Sequence, residues 1–178
     1  MKIKLYEGLN LKDLTYLGQG YQGKVYKINS YKCIKIFKKK SVCFDELETL
    51  IMCQKDYHFP KLYSFGENYI IREYIDGIEL DKYLSKNELT PFICKNIIDI
   101  YKAMEYVGFS RLDTALFHIF ITKSNNFKVI DTARAMKKKA IYPSIMINDL
   151  KSLGHKDTFI SYVKKYEKDL YHKWKEIL

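Results

Sequence analysis

No C-x-x-C pair occurs in this chain, and its four cysteines, Cys33, Cys43, Cys53 and Cys94, are dispersed. A structural zinc site needs ligands paired at short spacing, so that class is excluded. Scattered cysteines in a chain of this size suit reduced core residues of a cytosolic protein. No apolar run approaches the roughly 18 residues of a membrane span. The start, MKIKLYEG, lacks the apolar segment of a signal peptide. A soluble, cytoplasmic protein with no membrane partner is expected. Internal repeats are absent, and no linker is long enough to divide the chain, so 1–178 is expected to form a single domain.

Acidic residues are also in deficit, 21 against 31 Lys and Arg, which gives a formal charge of +10. Such a balance can serve nucleic acid, an anionic membrane or phosphorylated ligands. A bias toward Lys, Ile, Asn and Tyr produces it equally well, so charge decides little. Hydrophobic residues make up 47%, enough for a folded core rather than a disordered chain.

Residues 1–16 alternate loosely, as an edge strand or a lead-in would. In LGQGYQGKVYKI, Gly18, Gly20 and Gly23 fit G-x-G-x-x-G, and Val25 extends it to G-x-G-x-x-G-x-V. A dinucleotide fold requires a helix after those glycines. Here the following KVYKINSYKCIKIF is β-branched and aromatic with a turn at Asn29-Ser30, so strand, turn and strand are expected. The glycines then sit in a hairpin tip, where backbone N–H groups can lie over phosphates.

Lys35 lies late in the second strand of that hairpin. The next segment, SVCFDELETLIMCQKDY, has Phe44, Leu47, Leu50 and Ile51 at helical spacing, with Ser41 as N-cap. Glu46 and Glu48 are both candidate partners for Lys35. Glu48 is favoured, because Ile51 and Met52 follow at inward-packing spacings. A strand at Lys61-Leu62-Tyr63, a turn at Gly66-Glu67-Asn68 and a strand over Tyr69–Ile75 complete five strands, with one helix after the third. Composition changes at Asp76-Gly77. Leu80 to Val107 reads as helix, interrupted at Thr90-Pro91, where Thr caps and Pro takes the first turn. Ala135 to Leu178 carries helical patterns on either side of Gly154.

Between these helical parts lies GFSRLDTALFHIFITKSNNFKVIDTAR, Gly108 to Arg134. It presents Asp113, His118 and Asp131 at the ends of two short strands joined by a turn at 123–126. Catalytic residues collect on loops held by rigid strands. Phosphoryl transfer asks for just these parts: a glycine loop, a Lys held by a Glu, an Asp at the acceptor hydroxyl, and ligands for a metal ion.

In that order and spacing, Leu17 to Arg134 resembles the protein kinase-like family in a small bacterial form. The resemblance implies an α+β, bilobal fold. Its N-lobe (about 1–77) would be a five-stranded antiparallel sheet with one helix, its C-lobe (about 78–178) reduced and mainly helical. It implies that Leu17, Gly18, Gly20, Gly23 and Val25 cover the nucleotide, and that Lys35 with Glu48 orients its phosphates. The backbone of Glu73 and Ile75 would meet the adenine, and Phe120 would lie against its face. Asp113 would be the catalytic-loop Asp, and Asp131 with His118 would bind the metal. The implied ligands are ATP and a divalent cation, Mg or Mn, with a protein or small-molecule hydroxyl as acceptor.

The departures are specific. Arg111-Leu112-Asp113 replaces H-R-D, so control by a phosphorylated activation loop is not expected. His118 stands where the family has Asn, and an imidazole suits Mn²⁺ or Zn²⁺ better than Mg²⁺. Alternatively it hydrogen-bonds Asp113 or satisfies a loop carbonyl. Arg72 takes the gatekeeper position, where a long cation needs an acidic partner or a route to solvent. No A-P-E motif follows Asp131, which leaves open a non-catalytic nucleotide-binding scaffold, or a kinase of small molecules or of an RNA-associated acceptor. Asp149-Leu150-Lys151-Ser152-Leu153-Gly154 is similar to the D-x-W-S-L-G helix whose Asp anchors the catalytic loop, but so short a match carries no weight alone.

Overall fold

A computed structural model describes residues 6–130, 135–136 and 139–175. The chain is α+β. Five strands, β1 (Thr15–Gln19), β2 (Gly23–Lys27), β3 (Lys32–Phe37), β4 (Leu62–Gly66) and β5 (Tyr69–Glu73), form an antiparallel sheet in the order β1-β2-β3-β5-β4. Helix α1 (Lys40–Cys53) follows β3 and packs on β3, β4 and β5. The expected five strands and their helix are therefore present.

Strand alternation gives the central strand β3 two different faces. Cys33, Lys35 and Phe37 point to the side covered by α1, whereas Ile34 packs with Tyr6 and Ile71 under the N-terminal segment. On the α1 side, the register sets Val25 and Ile70 opposite Lys35, and Arg72 opposite Cys33.

A second antiparallel sheet holds β6 (Gly77–Glu79), β7 (Ile119–Thr122) and β8 (Phe127–Val129) in that order. The helices beside it are α2 (Leu80–Leu84), α3 (Pro91–Tyr106), α4 (Ser144–Ser152), α5 (Lys156–Tyr166) and α6 (Lys168–Trp174). Helix α3 starts as its sequence dictates: the Thr90 side chain accepts from Ile93 N–H, and Pro91 fills the first turn. It stops at Gly108, whose φ of 87° is the left-handed value a glycine tolerates. The Gly108 and Phe109 N–H groups then close on the Glu105 and Met104 carbonyls. That cap launches the chain into the loop carrying Asp113.

Helix α1 departs from expectation at its start. Lys39, not Ser41, occupies the N-cap and makes no side-chain cap bond. Its orientation also differs. Phe44 and Ile51, expected inside, are 58% and 50% exposed, while Cys43, Glu46, Leu47 and Leu50 face the core. One continuous core runs from Phe37 and α1 through α3 to Trp174, which is fully buried against Tyr101. No helix among the described residues is long and apolar enough to cross a membrane.

Candidate functional site

Gly20 and Gly23 close the β1–β2 hairpin, with Gly20 N–H donating to the Gly23 carbonyl at 3.0 Å. The two glycines answer different needs. A Cβ on Gly23 would come within 2.0 Å of the Ile36 carbonyl oxygen, so the strand pairing itself demands glycine there. A Cβ on Gly18 or Gly20 would meet nothing within 4 Å. Packing does not require glycine at those two.

Behind the hairpin, Lys35 Nζ lies 2.5 Å from Glu46 Oε2 and 3.1 Å from Gln22 Oε1. Glu46 is 1% exposed. The Lys35 partner is thus Glu46, and the choice of Glu48 is corrected: Glu48 is exposed on the opposite side of α1. Taking Phe44 and Ile51 as inward rotates the helix wrongly. Cys43, Leu47 and Leu50 mark the buried stripe, and Glu46 falls within it, three residues after Cys43 and four before Leu50.

The loop from Phe109 to His118 is fastened from several sides. Arg111 N–H donates to the Ala135 carbonyl at 2.9 Å, and Leu112 N–H to that of Ala140 at 2.6 Å. Leu116 N–H donates to Asp149 Oδ2 at 2.9 Å. Asp149 therefore anchors this loop, the role that its short sequence match was too weak to assign. The His118 carbonyl accepts from Ile130 N–H at 2.9 Å, which holds the end of β8 beside the loop.

Asp113 is 9% exposed. Its Oδ1 accepts from Ile145 N–H at 3.0 Å and from Met146 N–H at 3.4 Å, and its Oδ2 lies 3.1 Å from Ile145 N. The carboxylate thus caps the first turn of α4, from 32 residues upstream. Burial pushes its pKa above the ordinary Asp value, with the proximity of Asp149 adding slightly. The Ile145 and Met146 N–H groups and Arg111 pull the other way.

A cavity of about 500 Å³ lies between the hairpin, the inner face of the sheet and this loop. Of the residues expected at the site, Gly20, Gly23, Val25, Lys35, Asp113 and His118 border it. Gln22, Arg72, Arg111, Thr114 and Phe117 border it too, and of these the sequence had singled out only Arg72, with Arg111 noted as part of the altered H-R-D. Leu17, Gly18, Glu73, Ile75 and Phe120 lie outside its walls. Leu17 is exposed beside a register irregularity in β1, and Phe120 sits on β7 between Glu79 and Lys128. The Glu73 carboxylate pairs with Lys128 at 2.7 Å, and both residues border a separate pocket. Asp131 lies outside the described residues. Among those described, no group of three or more His, Cys, Asp or Glu is gathered closely enough to hold a metal ion.

Chemically the cavity offers phosphate-sized space, a buried Lys held by a Glu, two guanidinium groups, a raised-pKa carboxyl and an imidazole. The four cysteines are buried and unpaired with one another. Burial pushes the thiols of Cys43 and Cys94 up to about 11, and those of Cys33 and Cys53 upward as well. No protein-family model matches this chain, and no curated protein matches it.

Proposed function

We propose that this chain is an ATP-dependent phosphotransferase with a bilobal, protein kinase-like fold, moving the γ-phosphate to a hydroxyl. The observation that carries the reading is the Lys35–Glu46 pair, 2.5 Å apart at the rear of a glycine hairpin, whose lysine borders a cavity shared with Asp113 and His118. A buried ion pair is poor value for stability alone, since apolar side chains of the same size serve as well or better. It is well suited to presenting an ammonium group at a fixed point. Gln22 Oε1 takes one of the Lys35 donors, and a phosphate oxygen can replace that amide.

In this reading Gly20 and its open surroundings let the hairpin backbone lie close over the nucleotide, as the glycine signature requires. Lys35 fixes the phosphates. Asp113, whose pKa is raised by burial, accepts the proton of the acceptor hydroxyl as the phosphate is transferred. His118 and Asp131 would hold the divalent cation, Mg or Mn, which neutralises charge developing on the phosphate oxygens. The acceptor is a hydroxyl on a protein or small molecule, or on an RNA-associated partner suited to the +10 charge.

One observation favours a second reading, a nucleotide-binding scaffold without turnover. Both Asp113 oxygens already face N–H donors of α4, which is a structural occupation for a catalytic base. Incubation with γ-labelled ATP and either Mg²⁺ or Mn²⁺ separates the two. Label transferred to the protein or to an added hydroxyl acceptor supports the phosphotransferase. Thermal stabilisation by nucleotide with no transfer under either metal supports the scaffold.

A further inference from the structure

Arg72 has no acidic partner among the described residues. It stands on β5, 7% exposed, and borders the cavity. Its Nε has no hydrogen-bond partner, and none of the ion pairs formed among the described residues includes it. Among the described residues, the acidic groups near it are committed elsewhere. Glu46 pairs with Lys35, Glu73 with Lys128, and Asp113 with the start of α4. The side chain opposite Arg72 on β3 is Cys33, a neutral partner: burial raises the pKa of its thiol, while the charge of Arg72 and its hydrogen bond to the sulfur oppose that less strongly. On the other flank it faces Leu62 of β4.

A guanidinium cannot shed its charge by deprotonation. Burying it without an anion costs stability, and a methionine or leucine there would cost none. No acidic side chain among the described residues supplies that anion, whereas a ligand bringing oxygen atoms does. The planar fork of N–H donors matches phosphate oxygens in particular. Its position relative to Lys35 narrows the ligand further. Lys35 opposes Ile70, and Arg72 is two residues along the same strand on the same face. Such diagonal neighbours are about 7–8 Å apart at the backbone, close enough for both cations to reach one short chain of phosphates.

We propose that Arg72 is a second oxyanion-binding residue of this cavity, and that the ligand held there is a polyphosphate gripped by Lys35 and Arg72 together. The nucleoside attached to that polyphosphate rests on the phosphotransferase reading; the two-cation grip does not. Binding of inorganic tripolyphosphate and of ATP to the full chain, by calorimetry and thermal shift, tests it. The variants are Arg72→Met and Arg72→Lys, with Lys128→Met as a cation outside the cavity.

Without ligand, Arg72→Met is expected to melt at or above the wild-type temperature, because it removes a buried charge that no described acidic group neutralises. Its affinity for tripolyphosphate is expected to fall by about tenfold or more, as loss of a charge-assisted hydrogen bond implies. Arg72→Lys should recover part of that loss, and Lys128→Met should bind as wild type. Wild-type affinity in Arg72→Met would overturn the proposal. So would an Arg72→Met chain that fails to fold, since the cation would then be structural. If ATP does not bind but tripolyphosphate binds through Arg72, the nucleotide reading falls and this one stands. If ATP binds wild type and Arg72→Met equally, the reverse holds.

Discussion

Lys35 and Glu46 meet across eleven residues of sequence, one from the middle strand of the sheet and one from the buried stripe of α1. Each is the neutralising partner of the other in an interior position. Glu46→Ala should therefore destabilise the fold by about 3 kcal/mol, because it strands the Lys35 ammonium. Glu48→Ala, on the solvent face, should stay within about 0.5 kcal/mol of wild type. Urea unfolding of the two variants checks this, and the reverse ranking would place the partner back at Glu48.

Asp113 caps α4, and in the proposed reading it also acts on a proton. Asparagine keeps an acceptor oxygen for the Ile145 N–H but cannot take up a proton at its side chain. Asp113→Asn should melt close to wild type, while Asp113→Ala should lose about 1 kcal/mol through the missing cap. Phosphate transfer should drop in both by about 10²–10⁴-fold if the carboxylate is the base.

The pH dependence follows from the same group. Its folded-state pKa is raised above the ordinary 3.8 by burial. The folded chain thus holds this proton more firmly than the unfolded chain does. The Asp113 contribution to stability is largest below 3.8 and is lost as pH rises through the raised value. Transfer runs oppositely, since the base must be ionised, so the acid limb of kcat/KM should lie above 3.8. Asp113→Asn should flatten the stability profile in that window.

Glycines of the hairpin should divide by cause. Gly23→Ala forces a Cβ against the Ile36 carbonyl and should lower the melting temperature. Gly20→Ala meets open space, so folding should be intact while nucleotide binding weakens. Equal melting of both variants would contradict the packing described here.

The cysteines supply an independent check on the core. All four are buried with thiol pKa values pushed upward by burial. Thiolate is the reactive form. A thiol reagent at neutral pH should label none in the native chain within minutes and all four in denaturant.

The sheet was legible because strand patterns, the Asn29-Ser30 turn and the glycine hairpin are local signals. Thr90-Pro91 and Gly108 likewise set the ends of α3 through chemistry that neighbours in sequence supply. Glu46 was obscured by two competing apolar stripes, since Phe44 and Ile51 are hydrophobic yet face solvent. The capping of α4 by Asp113 and the Leu116–Asp149 bond span more than thirty residues. No local pattern carries them. Arg72 was visible as an anomaly, a cation at a position needing a partner, and no acidic group among the described residues pairs with it.

The central claim is that this cavity transfers phosphate and that Asp113 is its base. Label incorporation from γ-labelled ATP, with Mg²⁺ and with Mn²⁺, compares wild type with Asp113→Asn at matched folded fraction. Transfer by wild type that falls at least about 100-fold in Asp113→Asn is the predicted result. Equal incorporation by the two proteins would contradict it.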